Sequence, residues 1–360
     1  MRIIVAGGGT GGHFFPAVAT IEKLMENGHD VLYIGTENGI EFQKQSRIPC
    51  KKMFLPISGV RGKGFAGSLK GAASLFLAIR KMKKIANNYK PDRILLFGGY
   101  VSFPAGVVGK IKKIPVIIHE QNSIPGKTNK ILNKIGNKTL IANSFCFKYF
   151  PKGILTGNPL RKEIIECNIS KKEAREKLGI DIEKFTILIF GGSQGALFIN
   201  QLMEKTVPLL KDKEDIQILH ITGKEKEGRL KEVYNSLNIS AKVISFTDTP
   251  WLFYKSADIA ISRSGALAVS ELCFFGIPTV FIPYPFAADD HQYFNVKLIE
   301  EKEGCFLYRQ KNLTPEKLAF LIKKLYTNES LREQFSKVMK SFSIPDATLR
   351  VVRETENAGD

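Results

Sequence analysis

Ile3-Ile4-Val5-Ala6-Gly7-Gly8-Gly9-Thr10-Gly11-Gly12-His13-Phe14-Phe15-Pro16 sets a short apolar run against a cluster of glycines and the start of a helical pattern. Consecutive apolar residues fit a strand covered on both faces, which is the strand of a parallel sheet. Glycines at its end let the backbone turn sharply and bring bare amides up to an oxygen-rich ligand at a helix N-terminus. The figure recurs twice: residues 94–97 run into Gly98-Gly99-Tyr100-Val101-Ser102, and residues 186–190 into Gly191-Gly192-Ser193-Gln194-Gly195. Further strands are expected at residues 31–34, 116–119 and 139–142, then at 216–221, 243–246, 259–262 and 279–282, alternating with longer helical patterns. The expected architecture is α/β, two Rossmann-like doubly wound domains. The turn-rich Thr156-Gly157-Asn158-Pro159 divides them, giving domains of residues 1–160 and 161–343, with a capped final helix after Pro345.

The totals agree with that division. A chain of 360 residues is long for one domain and comfortable for two. Five scattered cysteines, with no C-x-x-C pair and no histidine at zinc spacing, read as reduced core thiols. Met1-Arg2 leads directly into the first apolar run without the pattern of a secretory leader, so a cytoplasmic protein is expected. No apolar run reaches the roughly 18 residues that span a bilayer. The net charge of +18 is unevenly spread: residues 1–160 hold 24 Lys and Arg against 7 Asp and Glu, whereas residues 161–360 hold 29 against 28. A field of that sign in the first half attracts anionic lipid, nucleic acid or a polyphosphate.

Each glycine loop has rival readings. Gly7, Gly9 and Gly12 satisfy G-x-G-x-x-G, with Glu37 as a possible ribose ligand, which keeps an NAD-dependent oxidoreductase open; a plain tight turn is the bland alternative. Two further glycines followed by His13-Phe14-Phe15-Pro16 stand where that motif expects a small apolar helix start. Gly191 to Gly195 adds the Ser193 hydroxyl as a phosphate donor, but also matches the G-x-S-x-G elbow of a serine hydrolase, with Asp289 or Asp290 and His291 as conceivable partners. A complete doubly wound half before that serine argues against it. Arg263-Ser264-Gly265-Ala266-Leu267-Ala268-Val269-Ser270-Glu271 follows another strand and opens a helix toward the same sheet edge. Glu271, about two turns in, can accept hydrogen bonds from two ribose hydroxyls, unless it is simply a solvated helix carboxylate. No D-x-D triplet occurs, so neither metal nor cofactor is expected, and leaving-group charge falls to amides and to Arg161. His119-Glu120-Gln121-Asn122 sets four polar side chains at a strand end, read as a cleft floor shared with Tyr100 and His13. From residue 65 to 84, Phe65, Leu69, Ala72, Leu75, Phe76 and Ile79 form an apolar stripe, ringed by Arg80, Lys81, Lys83 and Lys84. That is an amphipathic helix suited to an anionic membrane surface, although a core helix uses the same period. A nucleic-acid binder would suit the basic half, yet would leave the glycine loops and Glu271 without a role.

Taken together, Gly8 to His13, Gly98 to Ser102, His119 to Asn122, Thr156 to Pro159, Gly191 to Gly195, Arg263 to Leu267 and His291-Gln292 resemble the bacterial MurG family of N-acetylglucosaminyltransferases in peptidoglycan synthesis. The resemblance implies a GT-B fold with an interdomain cleft, UDP-N-acetylglucosamine as donor, lipid I as acceptor, and inversion without a metal. It implies donor contacts from Thr10, Gly11, Gly12, Asn122, Arg161, Ser193, Phe246, Thr247, Ala266, Leu267, Ala268, Val269, Ser270, Glu271, Gln292 and Asn295. Tyr100 and His119 fall to the acceptor, and the base to His13, with Glu120 second. The last helix, residues 344–360, is expected to cross back onto the first domain, and the protein to lie peripherally on the cytoplasmic face of the membrane, without nucleic acid. His291 departs from members that carry glutamine there, so sugar recognition is assigned to Gln292.

Overall fold

The computed structural model describes residues 1–57, 65–192, 196–210, 214–223 and 227–359, except the side chains of residues 65–70 and 72. Its contacts divide it into two compact units, residues 1–162 with 344–360, and residues 163–343.

In the first unit the strands are β1 (Arg2–Ala6), β2 (Asp30–Thr36), β3 (Lys51–Leu55), β4 (Arg93–Leu96), β5 (Val116–Glu120), β6 (Lys138–Ile141) and β7 (Ile154–Leu155). They form one parallel sheet in the order β3-β2-β1-β4-β5-β6-β7. In the second unit β8 (Phe185–Phe190), β9 (Ile216–Ile221), β10 (Ser240–Ile244), β11 (Ile259–Ser262), β12 (Thr279–Phe281) and β13 (Phe306–Leu307) are ordered β10-β9-β8-β11-β12-β13. Both orders reverse once, between β1 and β4 and between β8 and β11. Such a switch point parts the loops that follow the two strands and leaves a crevice at their C-terminal ends. All three double-glycine loops lie there, after β1, β4 and β8.

Every strand that the sequence reading missed or misplaced is a sheet edge. β3, β7 and β13 were not expected, and β10 was placed at residues 243–246, whereas it runs from Ser240 to Ile244. β3 alternates exposed and covered residues, and β7 and β13 have two residues each. An edge strand needs no continuous apolar run, because part of it faces water.

The first unit's sheet carries apolar cores on both faces. One joins Ile4, Leu32 and Leu96 to Ala78, Met82, Ile85 and Ala86 of the helix Phe65–Tyr89. The other joins Ile3, Val5 and Phe14 to Val351 and Val352 of the helix Ala347–Glu356. Glu356 of that last helix accepts from Asn27 at 2.9 Å and pairs with His29 at 2.8 Å. A Cβ on Gly157 would lie 2.6 Å from the Ile344 Cβ, so the returning chain presses directly on the turn at Gly157.

The helix Phe65–Tyr89 corrects the expected apolar stripe. Leu75 and Ile79 pack against the core, in phase with buried Ala78 and Met82. The exposed apolar side chains are Phe76 and Leu77, 60% and 57% accessible. Arg80, Lys83 and Lys84 are exposed beside them. Lys81 is tied to the fold, its ammonium donating to the Phe54 carbonyl at 2.8 Å. Phe65 and Leu69 have side chains outside the described residues. Among the described residues no helix is long and apolar enough to cross a membrane.

Candidate active site

The first unit's switch point is built from two loops in backbone contact. Gly99 has φ +79°, and a Cβ there would lie 2.4 Å from the Gly8 carbonyl oxygen. Both the left-handed backbone, costing roughly 1–2 kcal/mol for other residues, and the missing Cβ are therefore required. From the other side the loop is held by two residues that sequence reasoning passed over. The Tyr33 hydroxyl donates to the Gly7 carbonyl. Glu41, fully buried, accepts from the Gly9 amide at 2.8 Å through Oε2, and from the Thr36 amide and hydroxyl at 2.9 and 2.6 Å through Oε1. No spacing in the sequence marks Glu41; only the turn after β2 brings it under the loop.

Thr10 is the extended N-cap of the helix Gly11–Glu26 and His13 lies in its first turn. The half-buried imidazole places Nδ1 3.1 Å from the Gly8 carbonyl and 3.2 Å from the Thr10 hydroxyl. A carbonyl only accepts, so Nδ1 carries the proton and the ring lone pair is on Nε2, as a general base requires. Gly98 passes beside the imidazole; a Cβ there would meet Nε2 at 3.2 Å. Tyr100 is exposed just beyond. The Arg161 guanidinium lies 4.9 Å over the ring of Phe15, so this arginine belongs to the first unit, on the His13 helix.

Two expectations for this region are corrected. Residues 119–121 are not an open floor: His119, Glu120 and Gln121 are 0%, 2% and 3% accessible. His119 donates from Nε2 to the Gly157 carbonyl at 2.9 Å and takes Gln121 Nε2 at Nδ1 at 3.1 Å, and burial lowers its pKa to about 4. It is a neutral strut between β5 and the Gly157 turn, with neither nitrogen left for an acceptor. Glu120 Oε1 accepts from the Asn122 amide and side chain at 2.9 and 3.3 Å, and Oε2 from the Gly126 amide and Asn129 at 3.1 and 2.8 Å. A carboxylate offers about four lone-pair sites, and the loop uses them all. Burial pushes this carboxyl above its usual range while those bonds favour its charged form. Glu120 therefore shapes the loop carrying Asn122.

In the second unit, β8 and β11 lie side by side, with Phe190 paired to Ser262 at their ends. Ser193 lies outside the described residues. The helix Ala266–Phe275 begins at Gly265 with no side-chain cap. The Ala266, Leu267 and Ala268 amides thus lack intrahelical acceptors and face outward from a positive dipole end. The side chain of Val269 joins the core, and the Ser270 hydroxyl donates back to the Ala266 carbonyl at 2.9 Å. Arg263 is a brace: buried, it donates to the Ile282 and Pro283 carbonyls at 3.0 Å and to Gln310 at 3.0 Å, and burial lowers its pKa to about 10. The Ser264 hydroxyl, buried at this helix start, has no hydrogen-bond partner among the described residues.

Glu271 is 4% accessible and accepts from the Tyr254 hydroxyl at 2.6 Å, which excludes the solvated-helix reading. Tyr254 is packed between Phe190 and Phe275, a support not signalled by the sequence. Gln292 Oε1 accepts from the Tyr284 amide at 2.9 Å, which directs its NH₂ group outward as a donor. Asn295 is buried, and its side-chain amide donates to the Ser264 carbonyl at 2.9 Å, holding the loop. Phe246 and Thr247 lie past the end of β10 rather than on it, with Phe246 44% accessible. Among the described residues no group of three His, Cys, Asp or Glu is placed to hold a metal ion.

The rival chemistries lose their parts here. A dinucleotide phosphate at the first loop would meet the buried Glu41 carboxylate already on the Gly9 amide. Glu37, the expected ribose ligand, lies 3.8 Å from Lys81 with an exposed side chain. For the hydrolase, Asp290 pairs with Arg309 at 2.6 Å and His291 Nδ1 is spent on the Ala288 carbonyl at 2.8 Å.

Two doubly wound units with glycine loops at both switch points and an uncapped helix start in the second define the GT-B fold, and the family match below makes the chain a glycosyltransferase. Residues 3–141 match the glycosyltransferase family 28 N-terminal domain and residues 186–350 its C-terminal domain. The chain is 38% identical over 353 residues to the UDP-N-acetylglucosamine–N-acetylmuramyl-(pentapeptide) pyrophosphoryl-undecaprenol N-acetylglucosamine transferase of Aquifex aeolicus, covering 98% of this chain and 99% of that one. It is 38% identical over 358 residues to the transferase of the same name from Sulfurihydrogenibium, covering 99% and 98%. The crystal structure of Acinetobacter baumannii MurG superposes with a TM-score of 0.77 at 28% identity, over 99% of both chains. The chain belongs to the MurG family.

Proposed function

We infer that this protein transfers N-acetylglucosamine from UDP-N-acetylglucosamine to the muramyl 4-hydroxyl of lipid I, giving lipid II and UDP. The observation that carries the reading is the identity of 33–38% over about 98% of the chain with relatives bearing that name. The acceptor hydroxyl attacks the anomeric carbon from the face opposite UDP, loses its proton to His13 Nε2, and inverts that centre. Departing UDP carries negative charge, which the Ala266 to Ala268 amides meet as fixed dipoles that need no reorganisation during the reaction. Glu271 orients the ribose, Phe246 and Thr247 the uracil, and the Gln292 NH₂ group the sugar. Thr10 to Gly12, Asn122, Arg161 and Tyr100 serve on the first unit.

The decisive experiment offers a panel of UDP-sugars to a short-chain lipid I analogue and records product stereochemistry. Only the N-acetylglucosamine donor is expected to turn over rapidly, giving a β-linked product. An α-linked product, or equal turnover of another sugar, overturns the reading.

The protein works peripherally at the cytoplasmic face of an anionic membrane, and its basic half requires no nucleic acid. Phe76 and Leu77, with Arg80, Lys83 and Lys84 beside them, are the contact. Burying side chains of this size is worth about 1.5–3 kcal/mol each. Exchanging both Phe76 and Leu77 for serine should therefore lower partition onto vesicles containing anionic lipid about tenfold or more, while turnover on a soluble acceptor persists. Unchanged partition in a flotation assay would move the contact elsewhere.

A further inference from the structure

The Gly8–Gly9 peptide is gripped at both ends. Its N–H, on Gly9, donates to Glu41 Oε2 at 2.8 Å, and its C=O, on Gly8, accepts from His13 Nδ1 at 3.1 Å. Both bonds belong to one planar amide, so the orientation that satisfies the carboxylate also aims the carbonyl at the ring. Glu41 is itself anchored by three donors and fully buried. The space it occupies exists because its neighbours lack side chains: Cβ atoms on Gly8 and Gly39 would lie 2.2 and 2.1 Å from its carboxylate oxygens. Gly8 has no left-handed backbone to explain its glycine. The buried acid is the only close obstacle among its nearest neighbours.

We propose that Glu41 is a positioning residue that acts on His13 through the Gly8–Gly9 peptide. The inference rests on the reading of His13 as the base. An acid bonded directly to an imidazole N–H sets its tautomer and stabilises the cation that forms when the other nitrogen takes a proton. Here one peptide stands between acid and ring. The carboxylate pulls on the N–H, the carbonyl oxygen becomes a stronger acceptor, as in any hydrogen-bonded chain, and the proton is held on Nδ1. Nε2 then takes the acceptor hydroxyl's proton as the glycosidic bond forms, and the ring charge is balanced through the peptide. The arrangement also accounts for a glycine loop whose middle amide is turned onto a buried acid.

The test is Glu41→Gln in the full-length protein. The neutral side chain cannot offer acceptors to both the Gly9 and Thr36 amides, so the Gly8–Gly9 peptide is released. With five histidines in the chain, the His13 ring is assignable in a ¹⁵N spectrum by comparison with His13→Ala. Wild-type protein should show His13 as the Nδ1–H tautomer, and Glu41→Gln a tautomer mixture. On the scale of the partners that orient metal-bound histidines, about 10- to 100-fold, the loss should appear in kcat, with KM for UDP-N-acetylglucosamine within about threefold. Gly8→Ala, which retains the acid but drives it from the amide, should give the same spectrum and serves if Glu41→Gln does not fold. An unchanged His13 tautomer in a folded variant overturns the proposal whatever the rates. Full turnover by His13→Ala with the tautomer shift intact would instead overturn the base assignment.

Discussion

Replacing His13 with alanine should lower kcat at saturating lipid I by about 10²- to 10⁴-fold, the range that a positioned general base supplies. The reason lies in where these groups stand and in the tautomer they hold. His119 has both nitrogens engaged in buried bonds, and Glu120 has four donors on its two oxygens. His13 alone of these three holds its proton on Nδ1 with the other nitrogen unprotonated, and it sits where Gly98 gives way to exposed Tyr100. Affinity for UDP should change little, since His13 is not among the donor contacts. Glu120→Gln should behave differently, lowering thermal stability more than kcat, because an amide cannot accept from all four donors. Near-full turnover by a folded His13→Ala variant would sink the assignment and leave solvent as the proton acceptor.

Glu271→Ala should weaken UDP binding about 10²-fold by calorimetry. A hydrogen bond to a charged group is worth about 1.5–3 kcal/mol, and every 1.4 kcal/mol is tenfold in affinity. A carboxylate that binds ribose through one or two such bonds therefore accounts for this loss after partial replacement by water. The same change strands the Tyr254 hydroxyl, which the packing of Phe190 and Phe275 holds in place. Tyr254→Phe separates the two effects: it removes the support but keeps the acid, and should cost less than about fivefold. If Glu271→Ala bound UDP as tightly as wild type, Glu271 would be a core acid paired to Tyr254 and nothing more.

The central strands were legible because burial on two faces writes an unbroken apolar run, as in β1, β4, β8 and β11. The glycine clusters after β1, β4 and β8 were legible because a close approach, as at Gly99, or a left-handed backbone, as at Gly9 and Gly192, favours glycine. Edge strands such as β3 and β13 left little trace, being half-solvated or very short. In the helical stripe at residues 65–79, periodicity locates an apolar face but cannot say whether protein or lipid covers it. Leu75 and Ile79 turned out to face the core, with Phe76 and Leu77 outside.

For the polar residues the division is sharper. The sequence alone determined that amides would gather at two sheet edges and that His13 and Glu271 would stand near them, since these follow from local order along the chain. It could not tell a ligand-facing group from a strut. His119 and Glu120 look in sequence like His13, yet they are spent on the Gly157 carbonyl and the 122–129 loop. Glu41 looked like nothing at all. A buried polar group takes its role from the partners that satisfy it, and those partners come from distant parts of the chain. Only the tertiary structure could decide which acid lies beneath the glycine loop and which histidine leans on that loop's backbone.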